Sequence, residues 1–232
     1  MHDLAPLSPL GGHSPQIDVY NRISLTENAD FAYASIAAHA GCNGKLNDNA
    51  LKMIGVALPS PGQMTNKSDM TAIWSGPDQW MIEAPMHSHE TMADHLGKKL
   101  AGIDAVTEQN DAYARFDLTG ELCVDVLERL CSVNTRQMKP NTATRATIEH
   151  IACFILHRST GNFSILGARS SANSLHHNLT NSMANGTPTG SKLYELLFNA
   201  KNCKMIFLSG TPMINTIFEL TRIYNLLLGP IP

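Results

Sequence analysis

Charged and aromatic residues are both scarce in this sequence. Lys and Arg together number 17, Asp and Glu 20, and aromatics make up 6% of the 232 residues. With a net charge of −3 and a pI near 6.3, the chain lacks the basic excess that neutralising a phosphate backbone requires, which excludes a bulk nucleic-acid binder. Long apolar runs are missing too. None reaches the ~18–20 residues of a spanning helix, and the opening MHDLAPLSPLGGHSP lacks a charged-then-apolar signal layout. These absences predict a cytoplasmic protein with no membrane partner. The five cysteines form no C-x-x-C pair, and their odd number points to reduced thiols that behave as small buried hydrophobes.

Recognisable catalytic loops are absent as well. A phosphate loop needs G-x4-G-K-[S/T]; Gly41 to Lys45 is too short, and no G-x-G-x-x-G, G-x-S-x-G or H-E-x-x-H occurs. Among ten histidines the densest group is His87, His89, Glu90 and His95. His89 and His95 fall on different helix faces and His87 precedes the helix start, so they do not converge as metal ligands. The adjacent His176 and His177 point apart on a helix. Asp111 and Asp117 are the one candidate acid/base pair, and on a common strand face they stand roughly 20 Å apart, too far to act on one bond. The residues taken alone spell no active site.

What is present is enough for a core, with 43% hydrophobic residues. NADFAYASIAAHAG reads as a helix with Asn28 or Asp30 as cap and Gly41 as stop. KLNDNALKMIGVALPSPG reads as a second, ended by Gly55 and the prolines Pro59 and Pro61. TAIWSG and WMIEAP flank Pro77-Asp78 as a strand–turn–strand unit. A helix follows from Ser88 to Gly102, then the strand-like DAVTEQND and YARFDLTG, the second with strict alternation. GELCVDVLERLCSV has helical spacing. RATIEHIACFILHRS and GNFSILGARS read as two strands turning at Thr160-Gly161, and SSANSLHHNLTNSMANG as a closing helix. Strand pairs segregated between helices predict an α+β fold with antiparallel sheets.

Composition shifts after Gly186. Leu, Ile, Met and Phe account for 41 of residues 1–186 but for 18 of the last 46, and the junction NGTPTGS is a linker by composition. The division is a flexible arm over 1–19, a main domain over 20–186 and a tail over 187–232. One strand and two helices in that tail cannot bury their apolar side chains on themselves.

The block Ala72-Ile73-Trp74-Ser75-Gly76-Pro77-Asp78-Gln79-Trp80-Met81-Ile82 resembles the W-x-G-P-D-x-W signature of the gamma subunit of heterotetrameric sarcosine oxidase. Ser35 to Gly41, Asn110-Asp111, Phe116 to Gly120, Val126-Leu127 with Cys131, Ala146 to Leu156, and Arg169-Ser170 extend the resemblance over about residues 20–186. It implies an α+β fold like the aminomethyltransferase (glycine cleavage T-protein) folate-binding fold. It implies a non-catalytic structural subunit with alpha, beta and delta partners, in a complex that oxidatively demethylates sarcosine to glycine, with hydrogen peroxide and one-carbon transfer to tetrahydrofolate. FAD, FMN, NAD and tetrahydrofolate are then expected in the partner subunits and no cofactor in this chain. The positions it singles out as structural signature or interface are Trp74, Gly76, Pro77, Asp78, Trp80, Asp111, Gly120 and Arg169. Gly and Pro favour a tight hairpin there, Asp78 can bond turn N–H groups, and Trp74 and Trp80 anchor opposite strands. Ala112-Tyr113 departs from the family's Gly-Arg pair. Asn134 stands where the family has an aspartate, which counts against a folate role. The alternative is a stand-alone folate-binding or one-carbon-transfer protein of the same fold.

The tail differs. Cys203 to Asn215, with Ser209-Gly210-Thr211-Pro212, is similar to the S/T-G-T-P block of SNF2-type and viral superfamily 2 helicases, between a strand and a helix. Phosphate loop and Mg²⁺-binding acids are missing, so the tail is read as an inactive fragment of a nucleic-acid-dependent ATPase, by natural fusion or a foreign join.

Overall fold

A computed structural model describes residues 6–185, apart from 43, 45, 47–49, 53 and 101–103. The strands are β1 (Ile17–Tyr20), β2 (Ile23–Glu27), β3 (Phe31–Ala38), β4 (Met64–Lys67), β5 (Met70–Gly76), β6 (Gln79–Pro85), β7 (Asp104–Glu108), β8 (Tyr113–Gly120), β9 (Thr142–Ile148), β10 (Ile151–Ser159) and β11 (Asn162–Ala168). The helices are α1 (Met92–Leu100), α2 (Cys123–Leu130) and α3 (Ala172–Asn185), with a single turn at Met86–His89 before α1. Every strand pairing is antiparallel, in one six-stranded sheet ordered β1-β2-β8-β11-β10-β9 and one five-stranded sheet ordered β4-β5-β6-β3-β7. The fold is α+β with antiparallel sheets, as its residue order predicts.

Three apolar clusters define the layers. Phe116, Ile155 and Ile165 of the first sheet pack with Val126 and Leu127 of α2 and Leu175 and Leu179 of α3. Ala34, Ala72 and Ile82 of the second sheet pack with Met92, Leu96 and Leu100 of α1. Between the sheets lie Tyr33, Ile73 and Met81 from one and Phe154, Leu156 and Leu166 from the other. Alternate side chains thus enter different clusters, and the central strands β6, β10 and β11 are buried on both faces over most of their length.

That double burial explains two departures from the sequence reading. The helix expected over Asn28 to Gly41 is strand β3. Its alanines favour helix intrinsically, but Ala32, Ala34 and Ile36 are fully buried between β6 and β7, where small side chains fit under α1; tertiary packing overrides propensity. RATIEHIACFILHRS is not one strand but β9 and β10, joined at Glu149-His150 with φ of 44° and 72°. Two positive φ values are what a type I′ hairpin turn requires, and without Gly or Asn the turn carries no sequence signal. Residues 17–27 form a further hairpin, β1–β2, so the arm expected over 1–19 includes strand residues Ile17 to Val19. Residues 50–52 are helical, within the segment read as the second helix.

Gly120 shows why one glycine is required. Its φ is +132°, and a Cβ there would lie 2.1 Å from the Arg22 carbonyl oxygen and 2.8 Å from Ile23 Cα. Backbone strain and overpacking together cost ~3 kcal/mol or more. Gly120→Ala is therefore expected to melt markedly below the parent; an unchanged thermal melt shows that β2 can retreat.

Candidate functional site

The most distinctive feature is a charge network between the sheets. Glu83 on β6 sits within the buried stretch Trp80 to Ala84 and its side chain is 3% exposed. Its Oε2 accepts hydrogen bonds from Arg158 Nη2 at 2.6 Å and from the Tyr33 hydroxyl at 3.2 Å. Arg115 Nη1 lies 3.1 Å from the same oxygen, an ionic contact that is not aligned for a hydrogen bond. Arg115 Nε donates to Asp117 Oδ1 at 2.8 Å, and its guanidinium stacks 4.0 Å from the centre of the Phe31 ring. Asp117 also accepts from Ser164 Oγ at 2.6 Å and Asn28 Nδ2 at 2.7 Å, while Arg158 Nε donates to Ser164 Oγ at 3.0 Å. Two cations and two carboxylates balance.

Burial and charge act in opposite directions here. Burial pushes the Asp117 carboxyl up, but Arg115 and the donated hydrogen bonds outweigh it and hold the group below the usual carboxylate range. Tyr33 is driven far above its ordinary value, first by burial and then by the Glu83 charge, so it stays a neutral hydroxyl donor. Desolvation disfavours the Arg115 charge, yet Glu83 and Asp117 keep it cationic. Among the cysteines, burial pushes Cys123 and Cys153 up to about 12. They remain thiols, poor nucleophiles.

The residues singled out in the sequence occupy separate places. Trp74 and Trp80 face each other across β5 and β6, and Trp80 is 4% exposed with its Nε1 donating to the Pro59 carbonyl at 3.0 Å. Gly76 and Gln79 close the hairpin around Pro77-Asp78, where Asp78 adopts φ +53° and its carbonyl accepts from Ala38 N–H at the end of β3. Asp111 and Arg169 do meet, at 3.9 Å, on the exposed β7–β8 connection. Arg169 also donates to the Leu7 carbonyl, tying the N-terminal segment to the body. Gly120 lies at the far end of β8, 2.9 Å by its N–H from the Gly161 carbonyl. Asp111 and Asp117 do not share a strand: Asp111 is in the exposed connection and Asp117 in the network. Ser209, Gly210, Thr211 and Pro212 lie outside the described residues, as does the rest of the tail.

Sequence reasoning missed Glu83, Arg115, Arg158 and Ser164 as a unit. Their signal is faint: lone charges inside WMIEAP and FILHRS, which a two-faced apolar strand does not tolerate without partners. His176 and His177 do point apart, the first bonding Asp18 of β1 at 2.7 Å and the second Asn181. Among the described residues no three His, Cys, Asp or Glu converge as a metal site.

The buried polar side chains between the sheets are bonded to one another. Two surface hollows lie among the described residues, of about 380 Å³ beside Gly62, Met138, Lys139 and Thr142 and about 300 Å³ beside Arg129, Glu149 and Asn181. No helix among the described residues is long and apolar enough to cross a membrane.

Solved structures supply the remaining comparison. A chain of the heterotetrameric sarcosine oxidase from Corynebacterium sp. U-96, in complex with pyrrole 2-carboxylate, superimposes with a TM-score of 0.65 at 19% identity, over 75% of this chain and 90% of that one. The two share a fold. The glycine cleavage system aminomethyltransferase T from Bartonella henselae aligns with a TM-score of 0.51 at 13% identity, over 69% of this chain. Here the match spans 46% of the relative, so the fold corresponds to part of a larger protein. No family model and no curated protein matches the sequence, and the helicase-like resemblance of the tail gains no support.

Proposed function

We propose that this chain is a non-catalytic, gamma-type structural subunit of a heterotetrameric sarcosine oxidase in the cytoplasm, assembled with alpha, beta and delta subunits. The observation that carries the reading is the likeness in fold to nearly the whole of one chain in such an enzyme, 90% of its length. The W-S-G-P-D-Q-W hairpin, placed where Trp80 anchors the second sheet, supports it. In this reading FAD, FMN, NAD and tetrahydrofolate sit on the partner subunits. The balanced network in this chain serves as a rigid clamp between its sheets.

Co-expression with candidate oxidase subunits tests the proposal. The chain is expected to co-elute with flavin absorbance on size exclusion and to show neither flavin nor sarcosine turnover when purified alone. A yellow preparation that oxidises sarcosine without partners overturns it. A monomer that binds folate tightly instead establishes the stand-alone one-carbon reading.

A further inference from the structure

Large apolar side chains exposed to solvent concentrate near the N-terminus. Ile17 is 63% and Val19 68% exposed, both on β1, the outermost strand of the six-stranded sheet. Asp18, on the opposite face, is fixed by His176 of α3. The strand is also held from behind, because the buried Glu27 carboxylate accepts the Leu10 and Gln16 N–H groups at 2.8 and 3.1 Å. β1 is thus a firmly positioned edge.

Its backbone is ready to pair. Glu27 N–H donates to the Gln16 carbonyl, and the register runs Ile17 to Thr26 and Val19 to Ser24. In an antiparallel ladder bonded and non-bonded pairs alternate, so the amides and carbonyls of Ile17 and Val19 face outward. An exposed apolar edge with outward-facing polar groups is a template for another strand.

We propose that the edge of β1 is the docking site for this chain's own apolar run at residues 203–209, CKMIFLS, as an added strand. Residues 186–232 lie outside the described residues, and two facts favour them as the occupant. All of the run but Cys203 lies in the segment KMIFLSG, residues 204–210, that the sequence reads as a strand, in a tail whose apolar side chains need a surface to cover. The route is also short: α3 lies against β1, and Asn185 is nine residues, about 14 Å of helix, beyond His176. The seventeen residues from 186 to 202 span up to ~56 Å, so the run reaches the edge easily. Tethering gives it a high effective concentration over any free competitor.

Hydrogen exchange of the full chain, read by mass spectrometry, tests this. The double variant M205D/F207D is expected to raise exchange at Ile17 to Tyr20 about tenfold or more, with β11 unchanged. The reciprocal variant Val19→Lys, at an exposed position, is expected to raise exchange at 203–209, and it stands as the test if the double variant disturbs β11. Unchanged exchange at Ile17 to Tyr20 in the double variant overturns the proposal. Protection of the edge that strengthens with protein concentration assigns it to a second copy, and protection gained only with added oxidase subunits assigns it to a partner; either also overturns it.

Discussion

Glu83→Ala is expected to remove much of the stability of the body. The glutamate is the shared partner of Arg115, Arg158 and Tyr33, and its loss leaves two guanidiniums between the sheets with Asp117 as their remaining carboxylate. Breaking a buried pair by deleting one member costs ~3–5 kcal/mol, because the other charge stays desolvated. For a domain of this size that lowers the melting temperature by roughly 10 °C. Thermal unfolding followed by circular dichroism reads the effect. The pH dependence carries the same signature in the parent. The Asp117 carboxyl is depressed in the fold, so its contribution is fully present above the ordinary carboxylate value and fades as acid protonates it below. A parent-like melt of the variant shows that Arg158, 16% exposed, swings out and takes the uncompensated charge to water.

Trp80→Ala is expected to cost a comparable ~3–5 kcal/mol, the usual penalty for emptying a buried aromatic site. The ring is a member of the cluster beneath α1, it faces Trp74 across the hairpin, and its indole N–H satisfies the Pro59 carbonyl. Cavity and orphaned acceptor act together. The same melting experiment checks it, with co-elution as second readout. A variant that melts like the parent but no longer joins the oxidase subunits makes Trp80 an interface residue instead of an anchor.

Local sequence determined the pieces whose signal is local. Leu122, Val126, Leu127 and Leu130 recur at helical spacing and α2 follows; Tyr113 to Gly120 alternates and β8 follows; Gly76-Pro77-Asp78 between apolar runs makes the β5–β6 hairpin. Tertiary structure alone decided the rest. β3 is alanine-rich and helix-prone, and becomes a strand because β6 and β7 bond both its edges while clusters above and below demand small residues. The Glu149-His150 turn has no turn residues, and is set by the pairing of β9 with β10. The network draws Tyr33, Glu83, Arg115, Asp117, Arg158 and Ser164 from five strands separated by up to 131 positions. Such a set has no spacing to read. Each charge is tolerated only because sheet packing delivers its counterpart, and that delivery depends on strand order, which no local pattern encodes.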